Sequence, residues 1–257
     1  MTSTYQPIER LDDRVAVITG GAGAIGARTA QLLSKRGARI ALIHRRDEPE
    51  RTQAVLNSLT GEGHRAYTAS VTDSASLRQA AQAIADELGP TSILINSAGY
   101  TQPVPLNDLE ALDDALIDEM MQVNFRGVIA TIRAFLPQLR ESRDAVVINV
   151  SSIAAFTGQG SNLAYAASKA ATDLATKSLA KALAPDLRVV GVSPGVVNTG
   201  FVPGRGADFN QKAAATTPLR RVGEAEDVAR AILALTTSLA FATGTTLVVD
   251  GGRHLVA

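Results

Sequence analysis

The stretch that decides the fold is Arg14-Val15-Ala16-Val17-Ile18-Thr19-Gly20-Gly21-Ala22-Gly23-Ala24-Ile25-Gly26. Residues 14–18 have the composition of a short buried strand, and a glycine-rich turn follows them directly. Apolar side chains then recur at helical spacing as far as Gly37, a residue type that commonly ends helices. Glycines let a backbone approach a phosphate closely, and a helix N-terminus presents unpaired N–H groups. The order of strand, turn and helix therefore predicts a phosphate-binding loop.

Strand-like and helix-like segments alternate along the rest of the chain. The sequence predicts strands near residues 14–18, 39–43, 64–69, 91–95, 145–150, 187–192 and 246–249. Several are continuously apolar, which is typical of strands covered on both faces in a parallel sheet. Helical patterns between them, such as 74–88 and 163–183, imply right-handed crossovers. We therefore predict an α/β fold: one domain over residues 1–257, with a doubly wound, parallel, seven-stranded sheet and helices on both faces.

Tyr165 and Lys169 stand four residues apart in the string Tyr165-Ala166-Ala167-Ser168-Lys169. On a helix this spacing puts both side chains on one face, one turn apart. A free tyrosine has a pKa of about 10, so it is a poor proton donor or acceptor near neutral pH. Because a nearby cation favours the phenolate, we expect Lys169 to lower the pKa of Tyr165. The pair is then suited to proton transfer with a carbonyl oxygen.

These motifs together resemble the short-chain dehydrogenase/reductase family, from about residue 11 to residue 252. The glycine segment matches the family's Thr-Gly-x3-Gly-x-Gly, with Ala24 in place of the middle glycine. Further matches, in chain order, are Asn96-Ser97-Ala98-Gly99 (with Ser97 a departure), Asn124, Ser152, Tyr165 with Lys169, Ser193-Pro194-Gly195-Val196-Val197-Asn198-Thr199, and Asp250-Gly251-Gly252. Ser152 is assigned because the family's catalytic serine lies 13 residues before the tyrosine. The resemblance implies a Rossmann-type NAD(P)-binding domain.

The resemblance also implies the roles of individual residues. Tyr165 would exchange a proton with the substrate oxygen, and Ser152 would hydrogen-bond that oxygen. Lys169 would bind the nicotinamide ribose, and Asn124 would hold a water that links Lys169 to solvent. No metal is expected. The expected cofactor-binding residues are Gly20, Gly23, Ala24, Ile25, Gly26, His44, Arg45, Arg46, Ser70, Val71, Asn96, Ala98, Gly99, Tyr165, Lys169, Pro194, Gly195, Val197 and Thr199.

The residues after the second strand indicate which cofactor is used. An acidic residue there would bind the adenosine ribose and favour NAD. This chain instead has His44 followed by Arg45 and Arg46. An arginine can pair with a 2′-phosphate through two hydrogen bonds. We therefore expect NADP(H), although Ser70 replaces the aspartate that many relatives place near the adenine. The competing interpretation is that both arginines are solvated surface charges, with Asp47 as a partner.

Composition limits the other function classes. The chain carries 25 basic and 25 acidic residues, so no net charge favours nucleic acid or an anionic membrane as a partner. It has no cysteine, which excludes disulfides and a thiol nucleophile. Residues 1–7 do not resemble a secretory signal, and no apolar run is long enough to span a bilayer. We expect a cytoplasmic protein.

The substrate is left open by the sequence. The expected pocket walls are residues 101–105, 154–163, 196–198 and the irregular stretch 200–218, which is also a candidate mobile substrate lid. Phe156 and Phe201 are the aromatic residues expected in these walls. A 3-oxoacyl-acyl-carrier-protein reductase is one candidate, with an acidic carrier docking near Arg133, Arg140 and Arg143. A sugar, polyol or steroid ketone is equally allowed.

Two other functional classes are compatible with the sequence. The chain could be a non-catalytic nucleotide-binding regulator, although such a protein would not need Ser152, Tyr165 and Lys169. It could also act on nucleotide sugars with the cofactor retained, although those relatives are usually longer.

Apolar and small residues in predicted helical segments 106–136 and 163–183 favour a homotetramer, with a dimer as the second choice.

Overall fold

The computed structural model describes residues 10–45, 49–142, 144–206 and 208–256. Seven parallel strands form one sheet: β1 Val15–Thr19, β2 Arg39–His44, β3 Arg65–Thr68, β4 Thr91–Asn96, β5 Ala145–Val150, β6 Leu187–Pro194 and β7 Thr246–Val249. Their order across the sheet is β3-β2-β1-β4-β5-β6-β7. The order reverses between β1 and β4, and open α/β sheets bind ligands at such a point, beyond the carboxyl ends of the strands.

The helices of the described residues lie between these strands. They are α1 Ala24–Ser34, α2 Pro49–Asn57, α3 Ser74–Leu88, α4 Asp114–Met121, α5 Gly127–Glu141, α6 Ala154–Thr157, α7 Leu163–Leu183, α8 Phe209–Thr216 and α9 Ala225–Thr236. A π-helical turn, Gln122–Arg126, joins α4 to α5, and a short 3₁₀ helix spans Arg253–Leu255. Among the described residues, we find no helix with both the length and the apolar character needed to cross a bilayer.

Alternate residues of each strand enter two separate cores. Val15 and Val17 of β1 pack with α3 and α5 on one face, whereas Ala16 and Ile18 pack with α1 and α9 on the other. The same alternation runs through β4 and β5. Burial of an aliphatic side chain of this size contributes roughly 1.5–3 kcal/mol. The predicted doubly wound sheet with helices on both faces is confirmed.

The structure corrects two expectations about local elements. Residues 106–113, predicted as part of a helix, are not helical: α4 begins at Asp114, where the Asp113 carboxylate caps it by accepting from the Leu116 N–H at 2.8 Å. Prolines at 103 and 105 and turn-forming residues at 107 and 108 keep the preceding chain irregular. Within the irregular stretch 200–218, Phe209–Thr216 forms α8. Part of the expected lid is therefore regular structure.

Glycine allows the β1–α1 turn to approach the end of β4. Gly20 has φ +64°, and a Cβ there would lie 2.8 Å from the Ala98 Cα. A Cβ on Gly26 would lie 2.4 Å from the Gly20 carbonyl oxygen. The hydroxyl of Thr19 accepts from the Ser97 and Ala98 N–H groups, both at 3.2 Å. These contacts hold the glycine turn against the crevice where the strand order reverses.

Candidate active site

One cleft of about 1300 Å³ runs along the carboxyl edge of the sheet. Most of the residues expected to bind cofactor or substrate line it. They are Gly20, Gly23, Ala24, Ile25, His44, Arg45, Ser70, Val71, Ala98, Gly99, Ser152, Tyr165, Lys169, Pro194, Gly195, Val197 and Thr199. Sequence positions more than 170 residues apart are brought together because each motif follows a strand of the same parallel sheet.

Three expected site residues lie behind the cleft wall. Gly26 is buried against Gly20, and Asn96 donates to the Asn149 side-chain oxygen at 2.9 Å. Asn124 is fully buried. None of the three lines the cleft in this structure. Arg46, and Asp47 as its suggested partner, lie outside the described residues.

Asn162 positions Tyr165 in the first turn of α7. Its side-chain oxygen accepts from the Tyr165 N–H at 2.7 Å, and its amide donates to the Gln102 carbonyl at 2.6 Å. The side chain thus caps the helix and ties it to the loop after β4. Asn162 is not among the residues expected from the sequence, although an asparagine just before a long helical pattern is a recognisable N-cap signal.

Lys169 is buried one turn further along α7, with only 4% of its surface exposed. Its ammonium donates to the Val150 carbonyl at 2.9 Å and lies 5.7 Å from the centre of the Tyr165 ring. Burial lowers the pKa of Lys169 to about 8, partly opposed by the nearby Asp173 carboxylate. The helical spacing thus brings the lysine beside the tyrosine ring, as the sequence predicts.

The tyrosine itself behaves differently from the expectation. Burial raises the pKa of Tyr165 to about 12, and interactions with the Ser152 hydroxyl and the Arg205 guanidinium only partly oppose that rise. The predicted lowering by Lys169 is therefore not present in this structure. The charge that opposes the rise is that of Arg205, from the segment after β6, whereas the Lys169 ammonium is hydrogen-bonded to a backbone carbonyl.

Asn124 lies in the π-helical turn between α4 and α5. Its side-chain oxygen accepts from the Tyr100 N–H at 2.8 Å, and its amide donates to the Tyr100 carbonyl at 2.9 Å and to the Ser168 hydroxyl at 3.1 Å. Its backbone carbonyl accepts from the Thr172 hydroxyl at 3.1 Å. The residue therefore joins the loop after β4 to α7, the helix that carries Tyr165 and Lys169.

The aromatic lining of the cleft differs from the expectation. Phe201 lines it, with its ring centre 6.1 Å from that of Tyr165. Phe156 does not: it is 51% exposed and packs edge-on against His254. Tyr100 and Phe209 also line the cleft, and neither was among the expected aromatic residues, although Phe209 lies in the predicted wall segment 200–218.

The residues present fit a dinucleotide cofactor. The backbone at Gly20 and Gly23 opens onto the cleft, and no Cβ obstructs the approach of a phosphate there. Arg45 and Arg51 line one end of the cleft, where β2 ends, and Lys169 lines the region near Tyr165. Phosphate groups are favoured by cations and by helix N-termini. Arg45 and Arg51 would hold the adenosine end, the glycine turn would hold the phosphates, and Lys169 would hold the nicotinamide ribose.

Comparison with known proteins identifies relatives over almost the whole chain. A family model described as enoyl-(acyl carrier protein) reductase matches residues 20–254. Cis-4-hydroxycyclohexanecarboxylate dehydrogenase of Sinomonas cyclohexanicum is 35% identical, covering 96% of this chain and 99% of the relative. The 3-oxoacyl-(acyl-carrier-protein) reductase FabG of Thermotoga maritima is 30% identical, covering 95% and 98% respectively.

A solved structure agrees with these sequence matches. The NADPH-bound structure of a short-chain oxidoreductase from Pseudomonas aeruginosa PAO1, described as containing an atypical catalytic center, has a TM-score of 0.83 and 33% identity. The similarity covers 95% of this chain and 97% of that one. With the seven-stranded sheet, the glycine turn and the tyrosine–lysine pair in one cleft, these matches show that the chain belongs to the short-chain dehydrogenase/reductase family of nicotinamide-dependent oxidoreductases.

Proposed function

We propose that the protein is an NADP(H)-dependent oxidoreductase that interconverts a carbonyl group and a secondary alcohol. The observation that carries the proposal is the convergence of Ser152, Tyr165 and Lys169 on one cleft that also contains the glycine turn. Together with Asn124 they form the proposed catalytic set. When bound, the nicotinamide would supply or accept the hydride at the carbon that bears the oxygen.

Each residue of the set has a part that follows from its environment. The Tyr165 hydroxyl donates a proton to the substrate oxygen during reduction, and its raised pKa keeps it protonated at neutral pH. The Ser152 hydroxyl hydrogen-bonds the same oxygen as negative charge develops there. Lys169, beside the ring, would bind the nicotinamide ribose. Asn124 holds α7 in register with the loop after β4.

A preference for NADP(H) is supported by the cations at the end of β2. The Arg45 side chain lines the cleft there, and Arg51 lies beside it on α2. The His44 ring is turned towards the backbone, with Nδ1 2.7 Å from the Arg45 carbonyl oxygen. Arg45 is therefore the better candidate of the two for binding a 2′-phosphate. The NADPH-bound relative is consistent with this choice.

A 3-oxoacyl-acyl-carrier-protein reductase remains the alternative activity, favoured by the similarity to FabG. Its expected basic docking surface is weakened in this chain. Arg140 forms an ion pair with Asp186 at 3.4 Å, and Arg133 donates to the Ser74 hydroxyl at 3.3 Å. Arg143 lies outside the described residues. A non-catalytic regulator is the second alternative, and the converging catalytic set argues against it.

We also propose that the chain works as one domain in the cytoplasm, with residues 200–218 as a mobile substrate lid. Several residues of this segment line the same cleft as Tyr165.

A homotetramer is proposed, with a dimer as the second choice. Part of its sequence basis is corrected by the structure, because Val128, Ile132 and Phe135 lie in the chain's own core. Leu174 of α7 is 66% exposed, so it still supports a contact between this helix and a second copy of the chain.

The test is to follow absorbance at 340 nm while a panel of ketones and aldehydes is incubated with NADPH or NADH. Net oxidation of NADPH with alcohol product is expected, and it should disappear in Tyr165→Phe. Product formation without net oxidation would assign the chain to the nucleotide-sugar class. Cofactor binding with no product from any carbonyl would favour the regulator.

A further inference from the structure

We propose that Arg205 binds a carboxylate group of the substrate, so that this enzyme acts on oxo- or hydroxycarboxylic acids. The inference rests on the proposed oxidoreductase function and deepens it by naming the substrate class. It is carried by the position and surroundings of one guanidinium in the cleft.

Arg205 lies in the segment after β6 and lines the same cleft as Tyr165. Its guanidinium carbon lies 4.1 Å from the centre of the Phe209 ring, and its side chain is half-buried. Stacking on an aromatic ring holds the planar guanidinium in a fixed orientation while leaving its N–H groups at the ring edge available. An arginine fixed in this way is oriented to bind a planar anion, such as a carboxylate, through two parallel hydrogen bonds.

The charge around Arg205 is not balanced by protein carboxylates in the described part of the chain. Arg253, the other arginine near it, donates through Nη1 to the Ala213 carbonyl at 3.0 Å and to the Thr216 hydroxyl at 2.9 Å, both neutral acceptors. The two guanidinium groups interact unfavourably with each other. The neighbouring Asp208 is paired with Lys212 at 2.5 Å. A bound anion would therefore be stabilised between the phenol and these two cations.

The sheet order separates this site from the one proposed for the cofactor phosphates. Arg45 follows β2, on one side of the crevice between β1 and β4. Arg205 follows β6 and Arg253 follows β7, both on the other side. The glycine turn that would face the pyrophosphate comes after β1, between the two groups. Arg205 is thus on the opposite side of the glycine turn from the proposed adenosine end, the side on which Tyr165 and Ser152 would meet the substrate.

Arg205 and the phenol of Tyr165 line the same cleft and interact through charge. The Arg205 charge opposes the rise in the pKa of Tyr165, so the guanidinium and the phenol share one environment. Burial lowers the pKa of Arg205, yet arginine stays charged in proteins. Because Arg205, Tyr165 and Ser152 line one cleft, a substrate held by its carboxylate on Arg205 could present its carbonyl oxygen to Tyr165 and Ser152.

The experiment compares matched acids and amides as substrates with NADPH. The probes are 4-oxocyclohexanecarboxylate, acetoacetate and levulinate, each paired with its neutral carboxamide. The wild-type enzyme should prefer at least one acid over its amide by tenfold or more in kcat/KM. Arg205→Gln should lower kcat/KM for that acid at least tenfold more than for its amide. Lys35→Gln removes an exposed charge outside the cleft, and it should keep the wild-type ratio.

Other outcomes overturn the proposal. Equal use of acids and amides by the wild-type enzyme would do so, whether or not the variant folds. Equal loss for acid and amide in Arg205→Gln would indicate a structural role, and weaker NADPH binding as the main effect would assign Arg205 to the cofactor phosphates. If no carbonyl compound is turned over, the proposed function fails separately. Calorimetric titration of the three keto acids then decides: binding lost in Arg205→Gln supports the carboxylate site, and absence of binding rejects it.

Discussion

The Lys169 ammonium donates to the backbone carbonyl of Val150 at 2.9 Å, at the point where β5 ends. A buried lysine is usually paired with a carboxylate. The Lys169 ammonium is instead hydrogen-bonded to a backbone carbonyl, and the Asp173 carboxylate acts on it only as a nearby charge. The fold therefore keeps a cation in the cleft at a cost in stability. That cost can be measured.

Replacing Lys169 with methionine should make the folded protein more stable near neutral pH while abolishing turnover. Burial lowers the pKa of Lys169 from 10.5 to about 8. A depressed folded pKa means that stability is present above the unfolded value and is lost as the pH falls through about 8. The shift corresponds to roughly 3 kcal/mol, less about 1 kcal/mol for the hydrogen bond lost at Val150.

The measurement is urea unfolding of wild type and Lys169→Met, without cofactor, at pH 7 and at pH 10. The variant should be more stable by about 2 kcal/mol at pH 7, and the difference should shrink towards pH 10 as the wild-type lysine loses its proton. A difference that does not change with pH would show that the ammonium is not what destabilises the fold. Lys35→Met, at the exposed end of α1, is the control for a simple loss of charge.

Tyr165→Phe should remove nearly all turnover and leave the affinity for NADPH close to wild type. Phenylalanine keeps the ring but cannot transfer a proton, and at least a hundredfold loss in kcat is expected for a general acid. Steady-state kinetics and a fluorescence titration with NADPH measure the two effects separately. Substantial residual turnover would mean that another group supplies the proton.

Arg45→Ala should raise KM for NADPH much more than KM for NADH. Wild type should favour NADPH by at least tenfold in kcat/KM, which is about 1.4 kcal/mol and modest for a charge-assisted phosphate contact. The variant should lose most of that preference. Lys35→Ala, an exposed cation outside the cleft, should leave both values unchanged. An NADH preference in the wild type would exclude this assignment.

Light scattering coupled to size-exclusion chromatography should give about four times the subunit mass of 26.8 kDa. Leu174→Arg should produce a smaller species, because a charge would be buried in the proposed contact of α7 with a second copy. Leu219→Arg changes a residue of nearly equal exposure, 67% against 66%, outside that helix and should keep the wild-type mass. A wild-type peak at the mass of one subunit in micromolar protein would contradict the proposed assembly.

The sequence by itself determined the architecture and the residues of the cleft that come from local motifs. Continuous apolar strands, helical periodicity and the glycine turn after β1 are local patterns, and they form the predicted elements except at residues 106–113 and at α8. Because parallel strands end at one edge, the motifs that follow them had to meet. The spacing of Tyr165 and Lys169 on α7 likewise follows from helix geometry alone.

Only the tertiary structure decided the electrostatics and the substrate side of the cleft. The pKa of Tyr165 depends on burial and on Arg205, which stands 40 residues away in the chain and reaches the phenol only through the segment after β6. The hydrogen bonds of Asn124 to Tyr100 and Ser168 likewise join elements that are distant in the chain. Sequence spacing does not determine desolvation or contacts of this kind, because both depend on what the rest of the fold places around a side chain.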